Sequence, residues 1–131
     1  MPLHDDFSFL GKAIEAFRKT TGLDAVVTKR QESDLDGFLA VNADHGHTYE
    51  LPFEVKPVID RRDQLLRLKA RHGNSLLITR SLSNAMMSEC REIGLQFIDH
   101  AGNCFLRQPG LYVYVSGRRE IARGNPAVTR G

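Results

Sequence analysis

What the chain is short of narrows the field first. It has no tryptophan, and only 8% of its residues are aromatic, so no ladder of stacking side chains stands ready to hold single-stranded bases. Its two cysteines, Cys90 and Cys104, lack the C-x-x-C spacing of a redox or metal pair, and free buried thiols in a reducing compartment are the expectation. No apolar run approaches the roughly 18 residues of a membrane span. The opening "MPLHDDFSFL" has neither the basic start nor the long apolar stretch of a signal peptide. The expected setting is the cytoplasm, away from any membrane. There is no internal repeat.

What is present fits one domain. A chain of 131 residues can bury a continuous core, and 41% hydrophobic with 26% charged residues is ordinary for a globular protein. The net charge of +2 hides an asymmetry. Residues 1–60 carry 6 Lys/Arg against 11 Asp/Glu, and residues 61–131 carry 12 against 5. An acidic half beside a basic half suits a protein that holds a cation and meets a polyanion.

Local patterns divide the chain into short elements. Phe7, Leu10, Ile14 and Phe17 recur at helical spacing after a cap at Asp5 or Asp6, and Gly22 can close that helix. "DAVVTKR", "GFLAVNA" and "TYELPFEVK" read as three strands, the last two as a hairpin ended by Pro57. Asp60 is placed to cap a helix over "RRDQLLRLKARHG", with Leu65, Leu66 and Leu68 inward and bases outward. "SLLITR" has the continuous apolar character of a strand buried on both faces. Ser83 and Gly94 bound a helix whose stripe is Met86, Met87, Cys90 and Ile93. "QFID", "NCFLR" and "LYVYVSG" are three further short strands. This order predicts an α/β (α+β) fold, a mixed central sheet flanked by helices, with an antiparallel front and a parallel strand–helix–strand portion. Residues 1–117 form the expected domain, and 118–131 read as a basic tail or linker.

The third strand poses the functional question. Side chains alternate across a strand, so Leu51, Phe53 and Val55 face one way while Glu50, Glu54 and Lys56 face the other. A solvated face and an active site both fit that pattern. Asp36, at the head of the second strand, can converge with Glu54 on a Mg²⁺ ion, because that ion takes one or two carboxylates together with water and phosphate. Lys56 would position a water and offset charge in the transition state. Glu50 and Glu15 are reserve ligands, Glu15 only if the first helix turns it inward.

Asp36 followed by Glu54-Val55-Lys56 resembles the D-x(n)-(D/E)-x-K signature of the PD-(D/E)XK, or restriction-endonuclease-like, nucleases. The order helix, three strands, helix, strand is similar to the αβββαβ core of that fold, and "DQLLRL" looks like its post-motif helix, with Gln64 as a catalytic helper. Over residues 24–118 the chain more specifically resembles the nuclease-like domain of bacterial AbiEi-type antitoxins and transcriptional regulators. Gly94, Phe97, Asp99, Gly102 and Asn103 match that group's G-hydrophobic-x-F-x-D-x-x-G-N segment. Leu35 stands where many nucleases have proline, and this chain stops at Gly131 where members of the group continue into a winged helix. The resemblance implies a DNA-binding domain with Mg²⁺-dependent phosphodiester hydrolysis, ligands Asp36 and Glu54, and catalytic residues Asp36, Glu54, Lys56 and Gln64. The alternative is a catalytically inactive regulatory module that binds DNA, a toxin or another partner protein.

Other signals have a plain and a functional version. His45 and His47 make a polar turn or a metal pair. Asp99, His100 and Asn103 make a turn between strands or face a groove beside the metal. Arg61, Arg62, Arg67, Lys69 and Arg71 solvate a helix face or meet phosphates. The tail arginines Arg118, Arg119, Arg123 and Arg130 face a single acid, Glu120, and read as a phosphate-binding arm. "LYVYV" is a candidate edge strand for pairing in a homodimer.

Overall fold

A computed structural model describes residues 2–28, 36–43, 46–71 and 73–119, with side chains from residue 9 onward. The elements are α1 (Pro2–Thr21), β1 (Asp24–Thr28), β2 (Gly37–Asn42), β3 (Thr48–Val55), α2 (Arg62–Arg71), β4 (Leu76–Ile78), α3 (Asn84–Ile93), β5 (Gln96–Ile98), β6 (Cys104–Gln108) and β7 (Leu111–Val115). All seven strands join one sheet in sequence order, β1 through β7. β1–β2–β3 are antiparallel, β3–β4–β5 parallel, and β5–β6–β7 antiparallel again. This is the mixed α+β fold that the pattern predicts. The two parallel pairs are the ones bridged by helices, as a parallel connection requires.

The sheet is covered on both faces. Alternate residues of β4 show it: Leu76 and Ile78 join a core with Phe9, Ala13 and Phe17 of α1, while Leu77 joins another with Leu65 and Leu68 of α2 and Met87 and Cys90 of α3. β4 is buried throughout, which is why its sequence runs apolar without alternation. Among the described residues no helix is long and apolar enough to cross a membrane.

Helix ends follow their chemistry with two differences from the sequence reading. Ser83 Oγ accepts from Met86 N at 3.1 Å, and Gly94 closes α3 at φ 79°. α1, however, starts at Pro2 and runs past Asp5 and Asp6, because proline is favoured at a first helical position. At α2 the cap comes from inside the helix: Gln64 Oε1 accepts from the backbone N–H groups of Asp60 and Arg61, both at 2.9 Å. That is the returning half of a capping box. Leu66, expected inward, is 41% exposed, since Leu65 and Leu68 already define the buried face at i, i+3.

Candidate functional site

Asp36, Glu54 and Lys56 all lie around one end of β3. Asp36 adds a rung where β2 begins, its N–H donating to Phe53 O at 3.0 Å and its Oδ2 accepting from Val55 N at 2.7 Å. The carboxylate thereby satisfies a strand N–H that β2 no longer reaches. Glu54 lies on the α2 side of the sheet, opposite the side that takes Leu51 and Phe53. It is only 8% exposed. Nη2 of Arg71 sits 3.2 and 3.0 Å from its two oxygens, and Lys56 Nζ is 3.6 Å from Oε2. A nearly buried carboxylate is tolerable because cations face it.

Beside this pair lies a cavity of about 100 Å³, lined by Lys56, Gln64, Arg67 and Arg71 over Ile59 and Leu68. Its polar lining is cationic apart from Gln64, whose carbonyl is already engaged in capping α2. The donor set was tested against the Mg²⁺ that the nuclease resemblance implies. Such an ion takes oxygen ligands. Here one oxygen of Asp36 holds a backbone N–H, and Glu54 faces a guanidinium. Among the described residues no group of three or more His, Cys, Asp or Glu side chains converges. In this arrangement Glu54 faces Arg71 and Lys56, and one oxygen of Asp36 faces the Val55 N–H. The reserve ligands lie elsewhere. Glu15 is exposed on α1 beside Arg18, on the other face of the sheet, because Phe9, Ala13 and Phe17 define that helix's inner stripe. Glu50 accepts from Thr28 Oγ1 at 3.3 Å.

The basic row of α2 is engaged at every position. Arg61 and Arg67 both bond Asp63, at 3.1 and 2.8 Å, and together hold its carboxyl below the usual range, the Arg61 hydrogen bond most of all. Arg62 meets Glu89 of α3 at 2.8 Å. Lys69 Nζ donates to Gly73 O and Gly94 O, at 2.9 and 3.1 Å, tying α2 to the end of α3. The exposed pairs among these are weak and exchangeable.

The segment around Asp99 is a turn built with buried polar groups. Asp99 is 1% and Asn103 2% exposed. Asp99 Oδ1 accepts from the N–H groups of Ala101 and Asn103, both at 3.0 Å, and Oδ2 accepts from Asn103 Nδ2 at 3.0 Å. Burial raises the Asp99 carboxyl above its ordinary value, against these hydrogen bonds. His100 packs on the Phe9 ring at 4.5 Å, with Nε2 3.2 Å from Phe9 O. Gly102, at φ +92°, lets the turn press against α1: a Cβ there would stand 2.4 Å from Thr20 Cγ2 and 2.9 Å from Ala16 O. Asp99 and Asn103 do line a hollow, but it shares no lining residue with the cavity at Lys56.

That second hollow contains what the sequence reading missed. Arg80, read only as the end of a strand, lines it together with Arg118 and Arg119. The available signal was its place just past a fully buried strand, where loops open. His47 packs against Tyr49 with ring centroids 5.3 Å apart. His45, Arg123 and Arg130 lie outside the described residues.

Fold and site together define a three-layer α+β domain with cationic hollows at the ends of its central strands. No model of a protein family matches the chain, and no functionally characterised protein or solved structure matches it either.

Proposed function

We propose that the chain is a nucleic-acid-binding domain of nuclease-like architecture that holds phosphate backbones without cutting them. The observation that carries this reading is the Arg71 guanidinium against both oxygens of Glu54, in the place that a catalytic cation would need. The neighbouring cavity is lined by Lys56, Arg67 and Arg71, which attracts an anion rather than a metal. The resemblance to regulatory antitoxins agrees with a binding role.

Binding of a labelled duplex across a salt series tests the reading. Phosphate contacts release counterions, so log K should fall linearly with log salt. No binding at low salt, or binding that does not depend on salt, would remove it.

The second reading, Mg²⁺-dependent cleavage of DNA, is favoured by one fact: Asp36, Glu54 and Lys56 share one end of β3. Calorimetric titration of Mg²⁺ or Mn²⁺ into the intact protein and into Glu54→Ala, with plasmid cleavage on the same samples, separates the two. The binding-domain reading expects neither saturable uptake nor cutting. Uptake and cutting that both vanish in Glu54→Ala would establish the nuclease instead.

A further inference from the structure

The carboxyl ends of the three parallel strands are laced together. Arg80 N donates to Pro57 O at 3.2 Å, His100 N to Arg80 O at 3.1 Å, and Thr79 N to Ile98 O at 3.0 Å. This is the edge at which open sheets with parallel strands form ligand crevices. Here the loop after β4 and the Asp99–Asn103 turn open onto a hollow of about 350 Å³, closed by residues 118 and 119. That volume is within the range of small-ligand sites, about 300–1,000 Å³.

Three arginines line it, Arg80, Arg118 and Arg119, with Ser81 alongside. Among the described residues none of the three arginines pairs with a carboxylate, in contrast to Arg61, Arg62, Arg67 and Arg71. Arg80 instead lies over the Phe9 ring, 5.6 Å from its centroid, a contact that steadies the guanidinium and leaves its charge intact. The one carboxylate among the hollow's described lining residues, Asp99, has both oxygens turned to Asn103 and the turn's own N–H groups.

Buried Asn103 then grips the main chain of Arg118 from both sides, donating to its carbonyl at 3.1 Å and accepting from its N–H at 2.9 Å. Burying an Asp and an Asn is costly unless they are fully bonded. The product of this network is a fixed main chain at Arg118, at the hollow that Arg80 also lines. Collecting like charges there is unfavourable until an anion arrives.

We propose that this hollow is a phosphate-binding site, in which Arg80, Arg118 and Arg119 clamp a phosphoryl group by charge-assisted hydrogen bonds and Ser81 contributes its hydroxyl. The phosphate comes either from a nucleic-acid strand, as a backbone diester or a terminal monoester, or from a free small phosphate. The strand source rests on the nucleic-acid reading above; phosphate recognition itself does not.

The test uses the full chain, Arg80→Ala, Arg118→Ala, Arg67→Ala in the cavity beside Glu54 and, as a control outside both, Arg18→Ala on the exposed face of α1, each checked for an unchanged unfolding transition. Inorganic phosphate is titrated by calorimetry. Two 3′-labelled single-stranded octanucleotides, one with a 5′-phosphate and one with a 5′-hydroxyl, are titrated by fluorescence anisotropy. The expected result is a tenfold or greater weakening of phosphate binding in Arg80→Ala and in Arg118→Ala, with Arg18→Ala unchanged. A preference for the 5′-phosphate that disappears in those two variants identifies a terminal monoester. Equal weakening for both strands identifies the backbone. Phosphate binding that depends on the two arginines, without any strand binding, keeps the site and removes the nucleic-acid reading. Strand binding that only Arg67→Ala weakens removes the site and keeps that reading. Wild-type affinity for every probe in both hollow variants, or no binding of any probe, overturns the proposal.

Discussion

At the scale of single residues, the most consequential contact is Arg71 on Glu54. Removing Arg71 leaves a carboxylate at 8% exposure with less compensation. A buried acceptor that loses its partner costs about 1–3 kcal/mol, and the half-exposed arginine places the expectation at the lower end. Arg71→Ala should therefore lower stability in urea. Adding Glu54→Gln, which removes the charge needing compensation, should recover part of the loss; a strictly additive double variant would contradict the pairing. Glycine supplies a second residue-level test. Gly117, at φ +82°, has open space around a would-be Cβ, whereas at Gly102 the same atom runs into Thr20 and the carbonyl of Ala16. Gly117→Ala pays only the left-handed backbone cost of about 1–2 kcal/mol. Gly102→Ala should cost clearly more by chemical denaturation, because the turn must also move off α1. Equal losses would mean that the turn yields freely.

Elements are held by their ends as much as by their faces. α2 and α3 each have ten residues, too few to be stable alone in water, so caps and packing decide whether they form. Ser83→Ala removes the α3 cap and should cost about 1 kcal/mol. Gln64→Ala should cost a similar amount, because its carbonyl serves two N–H groups at the start of α2. If Gln64 acted only on a bound substrate, its replacement would leave the unfolding midpoint unchanged. Spacing made most of these elements legible: Ser83, Gly94, the apolar run of β4 and the alternation in β3 each read directly as local structure. Gln64 was legible as a residue one turn into a helix but not as that helix's cap, since Asp60 offered the commoner solution at the same place. Leu66 illustrates the same limit: three nearby leucines fit an inward stripe, and only the neighbouring layer selects two of them.

For the whole molecule, one sheet separates two cores, with Cys104 in the one under α1 and Cys90 in the one under α2 and α3. Burial pushes each thiol from 9.0 up to about 12. The folded chain thus keeps protons that the unfolded chain releases above about pH 9. Unfolded thiols then bind fewer protons than folded ones, so the slope of stability with pH is negative. The contribution is intact below pH 9 and declines as pH rises toward 12. Comparing wild type with a Cys90→Ala, Cys104→Ala double variant from pH 8 to 10 should show the alkaline loss reduced in the variant. A shared sheet also predicts cooperative opening. Iodoacetamide should label both cysteines at the same urea concentration, and earlier labelling of either one would show that its layer opens by itself.

The sequence by itself determined the elements, their order, the two-faced burial of β4 and the mixed character of the sheet. Each of these follows from periodicity and from the side chains that cap or break a segment, and such effects act over a few residues. It also brought Asp36, Glu54 and Lys56 forward as a group, because strand alternation and hairpin pairing place them within reach of one another. Only the tertiary structure decided what each charge faces. Arg71 is 17 positions from Glu54, and Arg118 is 15 from Asn103. Arg80 meets the Phe9 ring although the two lie far apart along the chain. Charge interactions depend on distance in space and on burial, and neither is written in local spacing. For that reason the sequence foresaw a basic helix and a basic tail, while the fold turned the helix charges toward internal partners and gathered Arg80, Arg118 and Arg119 around one hollow.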